Sequence, residues 1–201
     1  MLSVTSIRVF SLIFFILYLL VAFVWPTFRI YKQTGINPIT FGKTDSAHDY
    51  IGRWFKLVIG LSTISVLFYW RSSLYGYLMP FSSLEQHPVQ VTGVVLCIVS
   101  LIWISVAQWQ MGNSWRIGLD QVNKTPLVQK GLFSVSRNPV FLGMLVSLTG
   151  FFLLLPNMLS LLVLVVAYLL IQIQIRLEEE FLFLQHGKSY SDYRSTVRRL
   201  I

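Results

Sequence analysis

Charge is scarce in this chain. Only 12% of its 201 residues are charged and only 8 are acidic. A soluble domain carries about 25% charged residues. With 55% hydrophobic residues, the chain holds more apolar material than a soluble core of this length would bury, so a bilayer must be the solvent for most of it. Cysteine is nearly absent: Cys97 stands alone inside an apolar run, which excludes an intrachain disulfide and leaves the redox compartment undecided. No glycine-rich phosphate loop occurs. His48, His87 and His186 are scattered and lack metal-ligand spacing, so no metal is expected. Small residues of a cleavage site are missing after the first apolar run, where Trp25-Pro26 stands, so no secretory leader is expected.

What is there is a set of long apolar runs. A membrane helix needs about 20 apolar residues, with a range of roughly 17 to 25. Val9 to Trp25, Trp54 to Trp70 and Val89 to Trp109 qualify. Phe141 to Leu155 is short, and Met158 to Ile175 pairs with it as a hairpin across Pro156-Asn157. Lys56 sits near the start of the second run and is expected to snorkel. Backbone groups have no water partners in lipid, and strict alternation is missing, so helices are expected rather than a barrel. The expected fold is all-α and polytopic, with about five spans. It forms a single integral-membrane domain over 1–201, with N-terminal spans in 1–110 and a catalytic core in 111–201.

The net charge of +8 does not point to nucleic acid, because the basic residues lie in short loops between spans, as topology signals do. Five spans place Arg29, Lys32, Lys43, Arg53, Arg116, Lys124, Lys130, Arg137 and the tail cations on one side, leaving Arg8 and Arg71 on the other. This asymmetry predicts an external N-terminus and a cytoplasmic tail in an inner or plasma membrane. The loop from Pro26 to Arg53, with Gly35, Asn37-Pro38, Gly42 and Asp45, reads as irregular and lies over the cytoplasmic mouth. Leu74 to Pro88 reads as an external loop.

Candidate chemistry gathers in the last third. Arg137-Asn138-Pro139 is a helix-start signal, with Asn as N-cap and Pro at the first helical position. A helix N-terminus beside Arg137 also suits an anion. Glu178 and Glu179 follow the last span, where carboxylates cost free energy unless water or a cation reaches them. Gln174 and Glu178 share a helix face at i and i+4, and Arg176 shares another with Glu179 or Glu180. Tyr190, Tyr193, Arg194, Arg198 and Arg199 form an aromatic-basic tail suited to anionic lipid. Gly143 and Gly150, seven apart, suit close helix packing.

Two patterns, Gly131-x-Phe133-x-x-x-Arg137-Asn138-Pro139-x-Phe141-x-Gly143 and Glu178-Glu179-x-x-Leu182-x-x-x-x-Gly187-x-x-Tyr190-x-x-Tyr193, preceded by Met111-Gly112-Asn113-Ser114-Trp115-Arg116, resemble the isoprenylcysteine carboxyl methyltransferases. Phospholipid N-methyltransferases share a similar hairpin and Glu-Glu pair. The resemblance covers about Met111 to Arg199. It implies an integral-membrane enzyme using S-adenosylmethionine in a cytoplasm-facing pocket. The family's cofactor contacts would fall on Thr125, Leu127, Val128, Phe133, Asn138, Pro139, Val140, Phe141 and Glu178. Departures are Asn138 where the family has His, Phe133 and Phe141 where it has Tyr, and Gln174 where an Arg holds the substrate carboxylate.

A sulfonium already activates its methyl group, so the protein mainly has to align the attack. A carboxylate acceptor needs only a cation, for which Arg176 or Arg137 is expected, with Gln174 and Arg176 at the substrate. An amine acceptor needs a base, and Glu179 is the candidate. The expectation is O-methylation of a lipophilic carboxylate. Phospholipid N-methylation is the alternative. A non-catalytic membrane protein retaining the fold and a membrane reductase binding a nicotinamide cofactor stay open.

Overall fold

The computed structural model describes residues 3–40, 46–118 and 125–201; Gly42, Lys43, Asp45 and Lys124 lie outside them. The described residues are helical apart from turns, connecting segments and two isolated bridges. Six helices carry the argument: α1 Val4–Thr34, α2 Ala47–Trp70, α3 His87–Met111, α4 Pro139–Leu154, α5 Met158–His186 and α6 Lys188–Thr196. Four of them, α1, α2, α3 and α5, are long and apolar enough to cross a membrane. The fifth apolar helix, α4, has 16 residues and rises only about 24 Å, less than a hydrocarbon core of about 30 Å. The expected set of about five spans is thus four long helices and one short one, in an integral membrane protein.

The loop expected to be irregular from Pro26 to Arg53 is largely helical. Helix α1 runs on through Trp25-Pro26 to Thr34 and ends at Gly35, whose φ of 69° only glycine adopts freely. A proline inside a helix leaves the carbonyl four residues back without its N–H partner. Here that carbonyl is Ala22, and the buried Gln108 of α3 donates to it from Nε2 at 2.7 Å. The turn Leu20–Val24 widens to a π-helix, one of the known ways a helix absorbs such a fault. Helix α2 likewise begins early, capped by Ser46, whose Oγ accepts from the Asp49 N–H at 3.2 Å.

Between helices in lipid there is little hydrophobic drive, so close packing and interhelical hydrogen bonds hold the bundle. Helices α3 and α4 make the most extensive pairing. They run antiparallel with small residues facing each other. A Cβ on Gly93 would lie 2.8 Å from the Gly150 carbonyl oxygen, and one on Gly150 would lie 2.9 Å from the Gly93 oxygen. Further along the same contact, the Ser100 and Ser147 hydroxyls bond at 2.7 Å. Trp103 Nε1 then donates to the Pro139 carbonyl at 2.9 Å. The packing role expected of Gly150 is met here.

The hairpin turn is fixed by a capping box. Asn157 Oδ1 accepts from Ser160 N–H at 2.9 Å, and Ser160 Oγ accepts from Asn157 N–H at 3.2 Å. Asn157 Nδ2 also donates to the Leu155 carbonyl at 2.9 Å. The segment before α3 docks on this turn through Phe81 N–H, which donates to the Pro156 carbonyl at 2.8 Å. Because Asn157 is fully buried, Asn157→Ala strands several polar groups. A loss of about 2 kcal/mol is expected, read as a lower thermal midpoint of the purified protein.

Candidate functional site

The two glutamates at the end of α5 point in different directions. Consecutive helical residues are about 100° apart, and here that angle separates two environments. Glu179 is buried, with both oxygens taken by guanidiniums. Arg137 Nε and Nη2 donate to its Oε1 at 3.1 and 2.8 Å, and Arg199 Nε and Nη2 donate to its Oε2 at 3.0 and 2.8 Å. Each guanidinium places two donors on one oxygen, and charge-assisted bonds of this kind are roughly twice as strong as neutral ones. The anion expected at the Arg137-Asn138-Pro139 corner is therefore the chain's own Glu179.

The clamp closes the C-terminal tail onto the start of α4. Arg137 N–H donates to the Arg198 carbonyl at 3.0 Å, and Arg137 Nη1 donates to the carbonyls of Arg194 and Val197. Asn138 Nδ2 donates to the Arg199 carbonyl at 3.0 Å and, more weakly, to Glu179 Oε1 at 3.4 Å. Asn138 stands at the N-cap position with Pro139 first in the helix, but its side chain makes no cap bond. It joins the tail instead. Tyr193 donates its hydroxyl to the Phe133 carbonyl at 2.6 Å. Burial pushes the Tyr190 and Tyr193 hydroxyls up to about 12, so both stay protonated. The lipid-facing role expected of the tail arginines does not hold for Arg199, which faces inward to Glu179.

Glu178 faces a cavity of about 410 Å³ lined by α1, α2, α3, α4 and α5. Its Oε1 accepts from Gln174 Nε2 at 2.9 Å, the i and i+4 pairing expected from sequence. No ion pair holds Glu178 among the described residues. Val140 and Phe141 line the same cavity, with Ile39, Arg116, Ile117 and Gly118 at the tail end and Phe15 and Phe151 at the far end. The loop pairing Thr40 N–H to the Ile117 carbonyl at 3.0 Å crosses that tail end, as expected of a segment over the mouth.

Of the residues expected at a cofactor, Val140, Phe141 and Glu178 therefore share one cavity, with Gln174 beside them. Phe133, Asn138 and Pro139 belong to the clamp and the helix wall. Thr125, Leu127 and Val128 lie on the irregular stretch before residue 130 and are not among the described residues lining the cavity. Arg176 is exposed and bonds back to Gln172. It borders a separate recess of about 230 Å³ with Glu180, Arg194 and Arg199, so neither Arg176 nor Arg137 reaches the cavity. Sequence reasoning missed Lys56, which lines the cavity. An ionisable residue inside an apolar run is the signal, since such groups in membrane spans mark function more often than chance.

Residues 89–189 match the model of a family described as phospholipid methyltransferase. The fold resembles that of a eukaryotic intramembrane Ras methyltransferase, an isoprenylcysteine carboxyl methyltransferase, with a TM-score of 0.61 at 19% identity over 98% of this chain and 76% of that one. No curated protein matches the chain.

Proposed function

Since the chain belongs to the phospholipid methyltransferase family, we propose that it is an S-adenosylmethionine-dependent membrane methyltransferase acting on a lipophilic acceptor. One observation carries the reading: a carboxylate with a single polar partner, Glu178, stands at one end of a mostly apolar cavity. The chemistry of these residues fits the cofactor at that end. A carboxylate accepts from ribose hydroxyls, Val140 and Phe141 offer apolar contact to a base, and the volume lies in the range of small-molecule sites, about 300 to 1,000 Å³. When bound, S-adenosylmethionine supplies a methyl group already activated on a sulfonium.

The acceptor class follows from what reaches the cavity. With Arg137 and Arg176 elsewhere and Gln174 in the place of an arginine, the carboxylate acceptor expected from sequence loses its designated cations. An amine acceptor needs no cation to hold it, and Glu179, already bound by two guanidiniums, cannot serve as the base expected from sequence. N-methylation of a lipid amine is therefore the leading reading. Lys56 in the cavity wall supports O-methylation of a carboxylate as the second. The cavity is lined from both the N-terminal spans and the C-terminal hairpin, so the whole chain acts as one catalytic unit in this reading, with the mouth on the cytoplasmic side.

Transfer of a radiolabelled methyl group into lipid extract separates the two, because an ester is base-labile and an amine is not. Glu178→Gln keeps an oxygen for Gln174 to bond and is expected to preserve stability. It should weaken the hold on the methyl donor and so lower methyl transfer at limiting donor by about tenfold or more. No transfer to any lipid extract, with wild-type stability intact, would favour a non-catalytic membrane protein.

A further inference from the structure

The outer face of α5 turns away from the cavity and ends in a charged recess. Leu162, Val165, Leu169 and Ile173 are each about half exposed, and Arg176, Glu180 and Phe183 continue the same row toward the tail. At 3.6 residues per turn, these seven positions fall within about 80° of one helix face. The apolar part, Leu162 to Ile173, rises about 16 Å, close to one leaflet of a hydrocarbon core of about 30 Å. Arg176 lies about 27 Å along the helix from Met158, where the chain leaves the hydrocarbon. There the row meets the recess of about 230 Å³ that Arg176, Glu179, Glu180 and Phe183 share with Arg194 and Arg199 of the tail. The carboxylates do not use up the guanidiniums. Glu179 is answered by both Arg137 and Arg199. Arg176 bonds only to Gln172, and Arg176 and Glu180, at i and i+4, do not pair. The Arg194 side chain makes no hydrogen bond or ion pair among the described residues. Four guanidiniums, of Arg137, Arg176, Arg194 and Arg199, thus face the two carboxylates of Glu179 and Glu180.

We propose that this recess binds the phosphate of an anionic phospholipid in the tail-side leaflet, with one acyl chain laid along Leu162, Val165, Leu169 and Ile173. It is a surface site, separate from the cavity and independent of the reaction proposed above. A phosphodiester supplies acceptor oxygens to Arg176 and Arg194, whose donors otherwise have only water and Gln172, and bonds from a guanidinium to phosphate are charge-assisted. The surplus of positive charge favours a head group with a net negative charge over one that brings its own cation. Glu180 accepts from the hydroxyls of a glycerol head group at the exposed rim. Because Arg176 belongs to α5 and Arg194 to the tail, a phosphate held by both joins the two elements and reinforces the Glu179 clamp.

The test is native mass spectrometry of the full-length protein in dodecyl maltoside, titrated with dioleoylphosphatidylglycerol. Dioleoylphosphatidylcholine and dioleoylphosphatidylethanolamine are titrated in parallel. One phosphatidylglycerol adduct should form ahead of any others, and bind about fivefold or more tightly than either zwitterionic lipid. Arg176→Gln and Arg194→Gln should each weaken it about fivefold, the share of one basic residue at a membrane surface. Both side chains are exposed, so folding is not at stake, and Arg199 is kept because it also holds Glu179. Lys188→Gln is the control for general surface charge: Lys188 is exposed on the first turn of α6 and does not line the recess, so its loss should change affinity by less than about twofold. The thermal midpoint should rise with phosphatidylglycerol and not with sodium phosphate. Equal binding of the three lipids, an equal loss in Lys188→Gln, or a midpoint raised as much by sodium phosphate overturns the proposal.

Discussion

Glu179→Ala is expected to lower stability by about 3 to 5 kcal/mol, the cost of leaving a buried charge without its partner. The Arg137 side chain is 7% exposed and that of Glu179 is 6% exposed, so removing the carboxylate strands a guanidinium in a closed setting. The Arg199 side chain is 34% exposed, and water can reach it. Arg199→Gln should therefore cost about 1 kcal/mol or less, as exposed pairs do. Both variants loosen the tail, because residues 197–199 are held by Arg137 and Asn138 through backbone carbonyls. Thermal midpoints rank the two, and limited trypsin digestion at Arg194 and Arg198 reports release of the tail. Equal midpoints for Glu179→Ala and wild type would show that the clamp contributes nothing to folding.

A second large effect is expected at the α3–α4 contact. Gly93→Leu or Gly150→Leu puts side-chain atoms where the partner helix has backbone, within 3 Å. Backbone cannot rotate aside as a side chain can, so the helices must separate. Separation also breaks the Ser100–Ser147 bond and the Trp103 bond to Pro139. Lipid tails are as apolar as the helices and supply no compensating drive. The expected cost is at least about 3 kcal/mol, the upper end of overpacking penalties, and folded protein should be largely lost after extraction into detergent. Gly60→Leu is the control. Gly60 is also helical, but nothing lies within 4 Å of a Cβ there, and wild-type yield is expected. Normal yield from Gly150→Leu would contradict the packing account.

The bundle was legible in the sequence where one rule sufficed. Length and apolarity marked α2, α3 and α5, turn chemistry marked Pro156-Asn157, and spacing paired Gln174 with Glu178. The rest depended on contacts across the bundle. Trp25 read as the end of an apolar run because turn-forming residues follow it; the donor that lets the helix run on through Pro26, Gln108, is far away in sequence. Glu178 and Glu179 read as one acidic pair, and only the rotation of α5 against α2 and α4 assigns the first to the cavity and the second to the clamp. Arg199 read as a surface cation because its partner is twenty residues away around a turn at Gly187. Lys56 read as a snorkelling residue because its place on α2 matters only once α5 packs alongside.

The most direct test of the account is a binding titration of S-adenosylhomocysteine to purified wild-type protein and to Glu178→Ala. One saturable site is predicted for the wild type. The variant should bind about tenfold more weakly or worse, the loss of a charge-assisted hydrogen bond, with its thermal midpoint unchanged. No saturable binding to the folded wild type, or equal binding by the two proteins, would contradict the placement of the methyl donor at the Glu178 end of this cavity.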